Sequence, residues 1–195
     1  MCTKQHTLGR AKSGSLLTSA LRDKNNPMIK SSTIEASVNI TEDNYRYWLK
    51  RVWDTNKEIG VFIALNPSKA TELKCDQTMC NINNLALQWG WGGFYILNLF
   101  AYMSTEKNKL QTVVNPIGSE NDENIQNICQ KQNTIVVSWG EEKPVLVKNR
   151  AKEVKDYLRS LNKDIYCLSK NKTSGYKHPC IINLSDYEKP TKTII

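Results

Sequence analysis

Residues 59–65 read Ile-Gly-Val-Phe-Ile-Ala-Leu, without a polar side chain, and the run stops at Asn66-Pro67-Ser68. A run of this length bounded by turn residues is a strand signal. A strand apolar on both faces needs cover on both faces, which belongs to a parallel sheet between helices. The pattern recurs at Phe94–Phe100 and Thr134–Trp139, and in shorter form at Asp164–Leu168. Helical spacing fills the gaps. Met79, Ile82, Leu85, Ala86 and Trp89 share a face over Asp76–Trp89, with Asp76 as N-cap and Gly90 and Gly92-Gly93 as stops. Ser119–Gln130 is a second helix, opened by an imperfect capping box in which Asp122 replaces Glu. Pro144–Leu161 is a third, with proline at its start.

Strand–helix alternation from 59 to 168 predicts an α/β fold: a three-layer α/β/α sandwich around a mostly parallel four-stranded sheet. Upstream, Ser32–Val38 and the aromatic-rich Tyr45–Val52 predict an antiparallel N-terminal edge strand or hairpin, closed by a turn at Trp53–Asn56. Residues 1–32 lack periodicity and read as a mobile basic arm. Residues 33–189 form one domain, and 190–195 a frayed tail.

Composition narrows the class. A chain of 195 residues, 39% hydrophobic and 24% charged, suits one globular domain. No apolar run approaches bilayer length, and no continuous apolar core follows Lys4, Arg10 and Lys12. The chain therefore reads as cytoplasmic, with no membrane partner. Cys2, Cys75, Cys80, Cys129, Cys167 and Cys180 include no Cys-x-x-Cys pair, and His6 and His178 are the two histidines. Reduced thiols are expected, with no metal site and no cofactor. The net charge of +8 is uneven. Residues 1–40 carry six basic side chains against two acidic, 41–140 nine against ten, and 141–195 twelve against seven. Basic ends favour a polyanion partner, nucleic acid first, or simply a solvated surface.

Open α/β sheets place their sites beyond the carboxyl ends of the strands. Asn66-Pro67-Ser68, Asn98-Leu99-Phe100, Ser138-Trp139-Gly140 and the loop Ser174–Pro179 should gather on that edge. Asn66 is the candidate that holds a water or reads a base edge. Asn98, taken alone, reads as a residue that satisfies loop backbone. Asp76 is a helix cap or a group that orients a water. His178 is a surface histidine or a site residue, and Phe100 is a ring able to stack a base. No phosphate-binding glycine motif and no nucleophile elbow is present.

The stretches Tyr45-Arg46-Tyr47, Arg51–Asp54, Leu65–Ser68, Asp76-Gln77-Thr78, Trp89–Gly93, Asn98–Ala101, Asn115–Gly118, Asn121-Asp122, Trp139-Gly140 and His178-Pro179 resemble an uncharacterised family. It is the domain-of-unknown-function family numbered sixteen forty-three, of bacteria, phages and mobile elements, and the resemblance covers roughly residues 33–182. The order of motifs is also distantly similar to the uracil-DNA glycosylase superfamily. Its water-positioning turn corresponds to Ala64-Leu65-Asn66-Pro67, its second-strand Asn to Asn98, its third-strand turn to Trp139-Gly140, and its late base-contacting loop to His178-Pro179. Ala64 stands where that superfamily has Gly, and Cys180 where it has a small Ser or Ala.

That likeness implies a uracil-DNA-glycosylase-like fold and a partner that is nucleic acid, DNA before RNA, or a nucleotide. Asn66, Asp76 and His178 become the catalytic candidates for N-glycosidic hydrolysis. Leu65, Pro67, Ser68, Asn98, Phe100, Trp139, Gly140 and Pro179 become substrate-binding candidates. Lys170, Lys172 and Lys177 become phosphate contacts. Two alternatives stay open: a non-catalytic nucleic-acid or nucleotide binder of a mobile element that keeps the pocket, and a hydrolase or transferase using Ser68 or a thiol.

Overall fold

The computed structural model describes residues 33–38, 44–68, 76–105, 107–180 and 182–193; the proposed N-terminal arm lies outside them. The strands are β1 (Thr33–Val38), β2 (Arg46–Val52), β3 (Ile59–Ala64), β4 (Gly93–Asn98), β5 (Ile135–Val137), β6 (Ile165–Cys167) and β7 (Thr191–Thr193). The α-helices are α1 (Gln77–Gln88), α2 (Asn121–Lys131) and α3 (Val145–Ser160). The strands form one mixed sheet in the order β1-β2-β4-β3-β5-β6-β7. Its centre, β4-β3-β5-β6, is parallel, as the continuous apolar runs require. β2 joins β4 antiparallel, and β1 joins β2. The aromatic strand read as an edge is therefore internal, and β1 is the edge.

Alternation along each parallel strand divides the core in two. Val61, Ile63, Leu97, Ile135 and Val137 pack with Ile125 and Cys129 of α2 and Ala151, Val154 and Leu158 of α3. Phe62, Phe94, Ile96 and Val136 pack with Met79, Ile82, Leu85 and Ala86 of α1. Helices thus cover both faces. Each fully buried side chain of this size contributes roughly 1.5–3 kcal/mol of transfer free energy. Gly60 is required by this packing: a Cβ there would fall 2.2 Å from the Trp91 ring.

The helix ends follow local chemistry. Asp76 caps α1, its side chain accepting from Met79 N at 2.8 Å. The expected capping box on α2 does not form. Glu120 occupies the cap position without a side-chain bond, and Ser119 lies against the Tyr47 hydroxyl instead. At the other end of α2, Lys163 Nζ donates to the carbonyls of Cys129, Gln130 and Gln132, three acceptors the helix leaves unsatisfied. Pro144 immediately precedes α3 with φ −65°, already set for a helix start.

Residues 191–193, expected as part of a frayed tail, instead form β7. Thr191–Thr193 pair antiparallel with Cys167–Ile165 and cover what would be an open edge of β6.

Candidate functional site

In the central sheet the chain passes from β3 to β4 on one side, then crosses back to β5 and β6 on the other. A crevice opens where such a strand order reverses, outside the carboxyl ends. Here a cleft of about 230 Å³ lies at the ends of β3 and β4, walled by the start of α1 and by His178. Leu65, Asn66, Pro67, Ser68, Asp76 and Asn98 line it with His178. Residues from four separate stretches of sequence meet there.

Pro67 breaks β3, and Asn66 is held at that break by two bonds. Its Nδ2 donates to Pro67 O at 3.1 Å and to Ser104 O at 2.7 Å. Both amide hydrogens are therefore used, which leaves Oδ1 as an acceptor. The Asp76 carboxylate is shared: Oδ1 takes Met79 N, and Oδ2 takes the Ser68 hydroxyl at 2.6 Å. Each oxygen retains a second acceptor position.

Asn98 is 2 % exposed, lines the cleft, and its side-chain amide has no hydrogen-bond partner among the described residues. Satisfaction of the loop backbone, expected of Asn98, falls to Asn121. Asn121 Nδ2 donates to Asn98 O and Leu99 O, both at 3.1 Å. Arg150 Nε adds a bond to Leu99 O at 2.9 Å, while the rest of its guanidinium pairs with Asp122 and Glu153. Two helices thus hold the Asn98-Leu99 backbone from behind and leave the Asn98 amide to the cleft.

His178 Nδ1 accepts from Cys180 N at 3.2 Å, which places the proton of a neutral ring on Nε2. The loop before it is held by reciprocal backbone bonds between Gly140 and Tyr176, 2.9 and 3.0 Å long. Gly140 has φ +92°, so the left-handed turn favours glycine there. Trp139 is 1 % exposed, stacks edge-on with Tyr176, and donates Nε1 to Glu142, which also takes Lys155. Burial, with Glu142 nearby, pushes the Tyr176 hydroxyl up to about 12, so it stays protonated.

Several expected contacts fall elsewhere. Phe100 is fully buried in the cluster under α2 and α3 and cannot stack a base from there. Trp139 and Gly140 shape the neighbouring loop and do not line the cleft. Pro179 is buried, its carbonyl taken by Asn81. Lys170 and Lys172 are exposed and Lys177 half-buried, all on the loop that leads to His178.

The structure also adds lining residues: Arg46, Thr78, Ser104 and Thr105. Arg46 is 7 % exposed and brings a guanidinium to the cleft. Its signal was visible, as a charge between two buried tyrosines, Tyr45 and Tyr47, at the start of β2. A second cavity of about 260 Å³ lies between α2 and α3 around Arg150, away from the strand ends.

Among the described residues no group of three or more His, Cys, Asp or Glu side chains could hold a metal ion. No described helix is long and apolar enough to cross a membrane. Cys129 is buried and its thiol pushed up to about 12 by desolvation, which makes it a poor nucleophile.

No curated protein and no solved structure matches this chain. A family model does match, over residues 46–180. That stretch begins at Arg46 in the cleft wall and ends two residues beyond His178, so it encloses the described lining residues. By that match over more than half its length, the chain belongs to the family described as "Protein of unknown function (DUF1643)".

Proposed function

We propose that the cleft binds a nucleobase, presented in DNA or in a nucleotide, within a domain of uracil-DNA-glycosylase-like build. The observation that carries this reading is Asn98. The Asn98 side chain lines the cleft without a hydrogen-bond partner among the described residues, so its amide is available to a ligand. Its side chain offers one donor and one acceptor side by side, which matches the edge of a base. Asn66, His178 and Arg46 lie in the same lining, and the lysine-bearing loop beside it suits phosphates. The central parallel strands with helices on both faces fit a three-layer sandwich of that superfamily's kind.

In the hydrolytic form, Asn66 Oδ1 holds a water. Its oxygen bonds to the sugar C1′, the C–N bond breaks, and the base leaves with the electron pair. The water's proton passes to Asp76, and the His178 N–H stabilises the departing base. A duplex substrate flips its base out at a cost of a few kcal/mol.

A second reading rests on two observations. Asn66 carries an amide, which is no base, and both Asp76 oxygens already hold a partner. This favours a binding protein that keeps the pocket without the chemistry.

One experiment separates the two. Oligodeoxynucleotides carrying each base, including uracil, are tested for binding by fluorescence anisotropy and for abasic sites by alkaline cleavage. Salt-sensitive binding weakened by Asn98→Ala supports both readings. Abasic product lost in Asn66→Ala selects hydrolysis, and binding without product selects the second. No binding at low salt overturns both.

A further inference from the structure

We propose that Asn81 is a positioning residue that holds the His178 loop against the cleft. The role of His178 rests on the base-binding reading; the placement of its loop by Asn81 does not.

Asn81 sits inside α1, where asparagine is a weaker helix former than alanine or leucine. The rest of that buried face is Met79, Ile82, Leu85 and Ala86. Asn81 is 5 % exposed, so its amide needs partners, and it finds two. Gln77 Nε2, one turn earlier, donates to Asn81 Oδ1 at 2.9 Å. That bond sets the amide's orientation, and Nδ2 donates to Pro179 O at 2.6 Å, across 98 residues of sequence.

The bond falls where the loop needs it. Backbone pairing anchors the segment as far as Lys177, through Tyr176 with Gly140 and Lys177 N with Ser169 O. The turn at 178–180 follows. Pro179 has a fixed φ, and Cys180 N donates back to His178 Nδ1. Clamping the Pro179 carbonyl therefore restrains the His178 backbone and ring together. The clamp comes from the helix whose first turn, at Asp76, Thr78 and Met79, forms another wall of the same cleft. Asn81 thus fixes the distance between two walls.

The test reads placement without a ligand. Gly140 and His178 are close enough that a Cβ built on Gly140 would lie 3.9 Å from the His178 Cβ. In the wild type, NMR should show a cross-relaxation peak between Gly140 Hα and His178 Hβ, with the ring resonance assigned by a His178→Gln variant. Asn81→Ala, and Asn81→Leu should the first fail to fold, are expected to lose that peak and move the ring resonance, while the remaining amide spectrum is retained. An unchanged peak and ring resonance overturn the proposal.

A binding arm uses a fluorescein-labelled single-stranded oligodeoxynucleotide. Asn81→Ala should weaken it at least tenfold, and Asn81→Ala with His178→Ala should be no weaker than His178→Ala alone. Losses that multiply in the double variant overturn the proposal. Absence of wild-type binding counts against the base-binding reading, while the NMR peak still decides the role of Asn81.

Discussion

The side-chain amide of Asn66 donates to the carbonyl of Ser104 at 2.7 Å, tying the end of β3 to the loop that follows β4. A second bond, to Pro67 O, uses the other amide hydrogen. The geometry accepts an amide at this position and opposes a carboxylate, which would face two carbonyl oxygens.

Asn66→Asp should therefore destabilise the fold, by about 1–3 kcal/mol, although it changes a single atom. Urea denaturation at pH 7 checks this. A cost below about 0.5 kcal/mol would mean that the two bonds do not hold the turn.

Asn98 and Asn121 should separate stability from binding. Asn98→Ala removes an amide with no hydrogen-bond partner among the described residues, so unfolding free energy should change by less than about 1 kcal/mol. Asn121→Ala strips two buried carbonyls of a donor and should cost about 1–3 kcal/mol. Oligonucleotide affinity should fall tenfold or more in Asn98→Ala. Equal stability losses in the two variants would contradict the assignment.

Alkaline pH should weaken the fold through Cys129. Burial raises its thiol from 9.0 to about 12, so between those values the unfolded chain releases a proton that the folded chain keeps. Stability therefore falls as pH rises through that window, by about 1.4 kcal/mol per unit for this group. Comparing urea melts of wild type and Cys129→Ala from pH 8 to pH 10.5 isolates the slope. The same burial protects the thiol, and iodoacetamide should label the exposed Cys80 well before Cys129 in the folded protein.

Lys170, Lys172 and Lys177 should set salt dependence more than specificity. Each phosphate contact to a single strand contributes about 0.7 to the slope of log K against log salt. Replacing all three by Gln should lower that slope by about 2 and weaken binding to every sequence alike. An unchanged slope in anisotropy titrations would place the phosphate path elsewhere.

The layering was legible because period and length report burial directly. Ile59–Ala64 has no polar residue and lies between α1 on one face and α2 and α3 on the other. Asp76 was readable as a cap because capping chemistry is local. The Thr-Lys-Thr of β7 was not readable, since three polar residues carry no period and become a strand through the open edge of β6. Phe100 was misplaced because alternation ends with β4 at Asn98, and past that point spacing no longer tells which way a ring turns.

By itself, the sequence determined the apolar strands, the helices and the edge where their polar ends gather. These follow from apolar runs and turn residues, which act over a few positions. The tertiary structure alone decided which polar groups are already used and which are left open to the cleft. Asn66 spends its amide hydrogens on Pro67 and Ser104, while Asn98 is released because Asn121 and Arg150 satisfy the backbone behind it. Apart from the bond to Pro67, these partners lie tens of residues away, and no local pattern records them.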